Sequence, residues 1–338
     1  MFRGLMSLPQ WQRRIIFIAI FGGAIVLLVA LTLYLVTQTL FVQRSLGTAL
    51  MPDVNVREFV ALPDDNAYPA AVAVAPDGTV YTGSYATGVV WRVAPDGTLS
   101  EVANTRDQIG SVSGIEVAAD GSLLVLDEGD ADPRTRGGAL WRVTPDGTIA
   151  AFATINDSEG FIAPDDITID AQGNVYITER GRGEVWRFAA DGNGGALWWV
   201  PPLEADVEAR ALTGIAYDAT TDTILIADAE ANELFRVNVV TGATEVLYRH
   251  GTREFPPGFD GITVAPDGAI YVAALGQNGV ARLVDGDLDY VAGLFRGASD
   301  VAYYSGRIYV TNFDQSSLVL PIRPSLPFAL DVIELSTP

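Results

Sequence analysis

Short runs of alternating apolar and polar positions recur along this chain, each closed by a glycine-containing turn and followed by an aromatic-Arg-Val phrase. The first pass reads Ala71-Val72-Ala73-Val74, Pro76-Asp77-Gly78, Val80-Tyr81-Thr82, Trp91-Arg92-Val93 and Pro95-Asp96-Gly97. The phrase returns around Gly121 and Trp141, Gly173 and Trp186, Thr221 and Phe235, Gly268 and Arg282, and Gly306. Period-two alternation predicts half-buried strands, and Pro-Asp-Gly predicts hairpin corners, because Asp bonds its own backbone and Gly takes the positive φ. A repeat of about 40–45 residues holding four short strands is that of a propeller blade. A single blade leaves a sheet face uncovered, so six blades must stack around an axis and close.

Gly78 to Gly121 is 43 residues, but Gly121 to Gly173 is 52, so the second blade carries an insertion. That insertion, from Asp127 through Gly138, is too polar to pack and is expected to be a solvated surface loop. Trp91, Trp141, Trp186 and Phe235 are expected between neighbouring blades. The last blade shows three candidate strands, Ser299–Tyr304, Arg307–Asn312 and Ser317–Ile322, with Val54–Leu62 supplying the outer strand from the other end of the chain. Such a closure leaves no long free edge. The remainder, 324–338, is expected as a tail on the propeller rim.

Residues 15–36 form an uncharged apolar run long enough to cross a bilayer as a helix. Arg3, Arg13 and Arg14 precede it and Arg44 follows, which predicts a cytoplasmic N-terminus over 1–14 and an extracytoplasmic remainder. A cleaved signal peptide is the rival reading, since Gly47-Thr48-Ala49 resembles a small-x-small site; the length of the run and the distance to that site favour an uncleaved anchor. Within the helix, Ala19 and Gly23 form a small-xxx-small pair of the kind that lets a second helix approach closely. The expected organisation is therefore an anchor at 15–36, a linker at 37–53 and an all-β, six-bladed propeller of four-stranded blades at 54–323.

Charge sharpens the division. The first 50 residues hold four Arg and no acid, whereas the rest holds 42 acidic and 17 basic side chains. A domain so acidic repels nucleic acid and attracts cations. The chain has no Cys, no Lys and one His, His250. Thiol and Schiff-base chemistry are thereby excluded, and so is a zinc site built from several His of one chain. His250 falls in a connecting segment beside Arg249 and Arg253 and reads as an ordinary loop residue. Carboxylate, hydroxyl, Tyr and Arg remain, which suit hard-cation binding better than nucleophilic catalysis.

Aligning the blades at the first residue of each inner strand gives Ala70, Ser113, Asp165, Thr213, Asp260 and Ser299. The next position gives Ala71, Gly114, Asp166, Gly214, Gly261 and Asp300, and the exit of the second strand gives Ser84, Asp127, Glu179, Asp228, Ala274 and Asn312. One face of the disc thus gathers oxygen ligands around its axis. Asp165, Thr213 and Asp260 form a candidate Ca²⁺ site. Asp127, Glu179 and Asp228 read instead as structural acceptors for neighbouring loops.

Pro164-Asp165-Asp166-Ile167 and Phe259-Asp260-Gly261-Ile262-Thr263-Val264, each followed by a turn and an apolar strand, resemble the six-bladed superfamily of gluconolactonases, senescence marker proteins, strictosidine synthase-like proteins and NHL repeats. For the lactonases the resemblance implies a divalent metal held by a Glu on the first blade, an Asn before a Gly and an Asp before a Gly. Here Asp260 precedes Gly261, Thr213 stands in place of the Asn, Asp165 in place of a substrate-binding Asn, and Tyr68-Pro69-Ala70 where the Glu would be. The expected function is accordingly a membrane-anchored binding or scaffold module, an accessory subunit with a membrane-protein partner and no nucleic acid. A divergent metal-dependent hydrolase with Asp260 as ligand is the alternative.

Overall fold

The computed structural model describes residues 9–40, 46–132, 135–203, 207, 209–251 and 254–335. Arg3 and Arg44, on which part of the expected orientation rests, lie outside the described residues, as do Arg134 of the inserted loop, Arg253 and residues 336–338. Two units are distinguished, one holding the N-terminal helix with residues 316–325 and the other holding the propeller. The helix runs Gln10–Leu40, and its stretch Gln10–Val36 is long and apolar enough to span a membrane. Its apolar side chains are exposed, Ile18 at 71% and Leu27 at 72%. That is compatible with an anchor, and a signal sequence would have the same properties.

The propeller is six antiparallel sheets of four strands each, with a short fifth strand on one of them. Blade 1 comprises Pro69–Val74, Val80–Ser84, Val90–Val93 and Leu99–Glu101 from axis to rim. The inner strands of blades 2 to 6 are Val112–Val117, Pro164–Ile169, Leu212–Asp218, Phe259–Val264 and Val301–Tyr304. Six apolar clusters fill the six interfaces between neighbouring blades, such as Leu124, Ile167, Val175 and Phe188 between blades 2 and 3, and Val72, Tyr309, Leu330 and Val332 between blades 6 and 1. Trp141, Trp186 and Phe235 belong to these clusters as expected, and Trp91 is fully buried.

The corners behave as the sequence predicts. The amides of Thr79, Thr98, Ser122 and Ala269 donate to the carboxylates of Asp77, Asp96, Asp120 and Asp267, and Gly97 takes φ +86°. These turns form one face of the disc, and the starts of the inner strands form the other, the mouth.

Blade 6 closes the ring but differs from expectation in one strand. Its order from the axis is Val301–Tyr304, Arg307–Thr311, Ala329–Leu335 and Val54–Ala61. Val54 pairs with Leu335 and Ala61 with Ala329, so the outer strand does come from the other end of the chain. The third strand, however, is not Ser317–Ile322, where Gln315–Val319 is a short helix. Residues 329–335, expected as part of a rim tail, are that strand, so the propeller extends past 323. The physical reason is an insertion between the second and third strands: the apolar Leu318-Val319-Leu320 imitates a strand, while Leu330, Val332 and Ile333 supply the buried one. Part of the expected linker is also ordered, as Thr48 and Ala49 pair with Gly293 and Ala292 on the outer edge of blade 5.

Candidate functional site: the axial mouth

The inner strands approach the axis so closely that the second position is Ala71 on blade 1 and elsewhere either a Gly or a bridging acid. A Cβ on Gly214 would lie 2.2 Å from the carbonyl oxygen of Asp260, and one on Gly261 would lie 2.1 Å from Asp300 Oδ1. Blades 3 and 6, opposite each other, place Asp there instead. Asp166 Oδ2 accepts the Ile215 amide of blade 4 at 2.9 Å, and Asp300 Oδ2 accepts the Val72 amide of blade 1 at 2.7 Å. The first position bridges blades through hydroxyls: Ser113 donates to the Pro164 carbonyl at 2.8 Å, Thr213 to that of Phe259 at 3.0 Å and Ser299 to that of Ala70 at 3.0 Å. These bonds satisfy backbone groups that the narrow axis would otherwise leave without partners.

Beyond this ring runs an axial channel of about 200 Å³, lined among others by Val72, Glu116, Asp166, Ile215, Thr263 and Asp300. Its acids are pulled out of water, which disfavours the charged form. Burial pushes Glu116 up to about 7 and Asp300 up to about 7. Burial, and then the charge of Asp300 across the axis, raises Asp166 well above the carboxylate range. Asp260 is raised likewise by burial and by the charges of Asp165, Asp300 and Asp166.

At the mouth Asp165 is not left to its like-charged neighbours. Arg180 Nε donates to Asp165 Oδ2 at 2.5 Å, and Arg180 Nη2 donates to Glu128 Oε1 at 2.8 Å. The Tyr85 hydroxyl donates to the other oxygen of Glu128 at 2.6 Å. Burial raises Asp165 to about 6 against the opposing pull of Arg180. Burial, followed by the adjoining Glu128, pushes the Tyr85 phenol up, and Asp165 with Glu128 holds the Arg180 guanidinium more firmly charged.

Tyr85, Glu128 and Arg180 were not among the residues expected at the site, although they share a signal. Each is the residue after the second-strand exit, a column that continues as Ala229, Leu275 and Phe313. The column's backbone repeats as well, since the amides of Tyr85, Glu128, Arg180, Ala229 and Phe313 donate to Tyr68, Ser111, Ala163, Ala211 and Gly297. That column is therefore polar over blades 1 to 3 and apolar over blades 4 to 6, where Phe313 meets the Tyr85 ring at 5.2 Å between centroids. Glu128, buried at 5% exposure, also corrects the view of the inserted loop as wholly solvated.

The exit column is structural, as expected. Asp127 Oδ1 accepts amides from Gly110, Ser111 and Gly129, Glu179 accepts those of Ile162, Ala163 and Gly181, and Asp228 Oδ1 accepts those of Ala211, Glu230 and Ala231. His250 bonds Tyr248 at 3.0 Å and the Glu254 carbonyl at 2.9 Å, away from the axis.

Of the candidate calcium ligands, Asp165 and Asp260 share one electrostatic environment, since the charge of Asp165 is among the causes that raise Asp260. Thr213 stands between them in blade order with its hydroxyl donated to Phe259. Among the described residues no group of three His, Cys, Asp or Glu is arranged to hold a metal ion. As arranged, one of the two carboxylates, Asp165, is paired to Arg180.

The sequence profile of the strictosidine synthase-like N-terminal family matches residues 57–93. No curated protein sequence matches the chain. Among solved structures, virginiamycin B lyase from Staphylococcus aureus is similar with a TM-score of 0.61 at 14% identity, covering 83% of this chain and 99% of that one. A gluconolactonase from Xanthomonas campestris is similar with a TM-score of 0.61 at 15% identity, covering 86% and 95%. At these identities the likeness establishes the six-bladed fold.

Proposed function

We infer that this chain is a membrane-anchored binding module whose propeller mouth, held on the extracytoplasmic side, engages a partner as an accessory subunit of a membrane assembly. One observation supports this above the rest: two of the three candidate metal ligands at the mouth are already committed. Asp165 is paired with Arg180, and the Thr213 hydroxyl joins two blades. A hydrolase of the lactonase kind needs those oxygens available for a metal, and no Lys or second His stands in reserve to move protons. What the arrangement offers is a cluster of acids around the axis, suited to a partner that presents a basic side chain. Isolation of the full chain in mild detergent, with mass spectrometry of what co-purifies, is the test. A defined partner lost on Arg180→Glu supports the reading, and a chain that purifies alone under all mild conditions counts against it.

The second reading, a divergent metal-dependent hydrolase, draws on Asp260. Its carboxyl is pushed up by burial and by three neighbouring acids, a strain that a divalent cation would relieve. Calcium bound by Asp165, Thr213 and Asp260 would have to displace Arg180 from Asp165. Calorimetric titration with Ca²⁺, and a lactone panel assayed with Ca²⁺, Mn²⁺ and Zn²⁺, separate the two. Binding heat and turnover that both vanish in Asp260→Ala would establish the hydrolase.

A further inference from the structure

The mouth rim at blade 5 carries four exposed apolar side chains, Leu46 at 52%, Leu50 at 55%, Phe255 at 77% and Leu294 at 64%. Single exposed apolar residues need no explanation, but these converge. The outer strand Asp287–Gly293 ends on the mouth face, since Ala292 pairs with Val280, which pairs with Ala273. Leu50 lies over Gly293, its Cδ1 3.2 Å from where a Cβ would be. The loops of Phe255 and Leu294 are stitched together through 275–278: Gln277 Nε2 donates to the Pro256 carbonyl at 3.0 Å, and the Phe295 amide donates to the Asn278 carbonyl at 3.0 Å.

Two further observations set this rim apart. Phe255 and Leu294 take φ +52° and +63°. A bulky side chain in the left-handed region costs roughly 1–2 kcal/mol, and such strain gathers where a side chain is held for use. The rim is also poor in acid, with Glu254 beside Phe255 and Asp314 paired to Arg296 at its margin. Residues 46–50, 255–258, 275–280 and 293–298 contain no Asp or Glu and one Arg, Arg296, in a domain that otherwise carries all 42 acids of the chain. Anionic headgroups that would repel the rest of the domain would not repel this edge.

We propose that the blade 5 edge of the mouth rests in the interfacial layer of the bilayer, with Leu46, Leu50, Phe255 and Leu294 inserted among the lipids. This rests on the anchored reading given above. The apolar helix ends at Leu40, and six peptide links reach Leu46. Those links span at most about 21 Å, so a helix that crosses the membrane keeps this edge within reach of the surface. Seating it there would bring the acidic mouth close to the membrane, where a membrane-protein partner would meet it.

The absence of Cys allows a clean test on the full chain. Single variants Leu46→Cys, Phe255→Cys and Leu294→Cys, with Val240→Cys on the turn face as control, are labelled with an environment-sensitive fluorophore. They are then reconstituted into phosphatidylcholine vesicles containing nitroxide-bearing lipid. The rim labels should be quenched severalfold more by the lipid nitroxide than the label at position 240, and should be shielded from an aqueous quencher. Rim labels as open to water as position 240, or shielded from both quenchers by protein, would overturn the proposal. Flotation of the same samples keeps the two readings apart. Chains that float with unquenched rim labels remove this inference alone, whereas chains that do not float remove the anchor and this inference with it.

Discussion

The two faces of the propeller are made from the same repeat and differ in how far they depart from it. On the turn face each corner is built mainly from its own residues, with an Asp accepting the amide two residues on and a Gly at positive φ. Contacts to a neighbouring blade are few there, such as Tyr304 donating to the Pro76 carbonyl at 3.2 Å. On the mouth face blades answer one another, some through hydroxyls, as Ser113, Thr213 and Ser299 do, and others through carboxylates, as Asp166 and Asp300 do. Gly214 makes room for Asp260, Asp300 caps Val72, and Arg180 draws Asp165 and Glu128 together. Where a repeat is uniform, local bonds suffice and the residues carry architecture. Where it breaks, the substitutions have to be read in pairs across blades.

The largest effect that would break this comparison comes from Gly itself. Gly214→Val sets a Cβ 2.2 Å from a backbone oxygen that cannot move without shifting blade 5. A loss of about 3 kcal/mol or more is expected, at the high end for overpacking. Gly97→Ala on the turn face meets nothing within 4 Å, and its cost is only the left-handed backbone, about 1–2 kcal/mol. Urea unfolding followed by circular dichroism compares the pair, and equal losses would mean that the axis is looser than described.

A second difference is in pH. Burial raises Glu116 and Asp300 to about 7 and Asp165 to about 6 in the folded chain. A carboxyl raised on folding contributes stability that is fully present below its unfolded pKa, near 4, and is lost as pH rises through the folded value. The propeller should therefore melt higher at pH 5.5 than at pH 8, with the fall running from about pH 4 to about pH 7 and levelling off above it. Glu116→Gln keeps an acceptor for the Val117 amide and removes the charge. It should raise stability at pH 8 by roughly 2 kcal/mol, less than the full shift implies because the channel is open to solvent, and should flatten the profile. A melting temperature independent of pH over this range would show that the axial acids are well solvated.

How much of this was legible follows the same division. The corners, the aromatic strands and the closure by Val54–Ala61 could be read because each rests on local chemistry or on strict periodicity. The third strand of blade 6 could not, because an insertion displaced it and a short apolar helix, Gln315–Val319, stood where the period called for a strand. The two-residue strand Thr48–Ala49 is too short to show any alternation. At the mouth, aligned columns found Asp165, Asp166, Asp260 and Asp300 but not what each would meet. Arg180 follows the aligned position on blade 3, and Glu128 follows it on blade 2 at the head of an insertion. Only the ring's curvature brings the two within 2.8 Å.

The smallest effect is the sharpest check on the turn face. Asp77 and Asp96 each accept an amide in an exposed corner, and those bonds hold their carboxyls below the usual range. Replacing either by Ala returns the Thr79 or Thr98 amide to water rather than leaving it buried without a partner, so little is lost. The backbone bonds that close these corners, Gly78 to Ala75 and Gly97 to Ala94, do not involve the side chain and remain. Asp77→Ala and Asp96→Ala should therefore shift melting by no more than the scatter between replicates at neutral pH. A depressed carboxyl contributes stability that is full above the ordinary carboxylate value and is lost as pH falls from there through the folded value, so any difference should shrink over that range. A loss matching that of Asp300→Ala, which would strand the buried Val72 amide, would mean that the corners register the blades and that the two faces are not divided in this way.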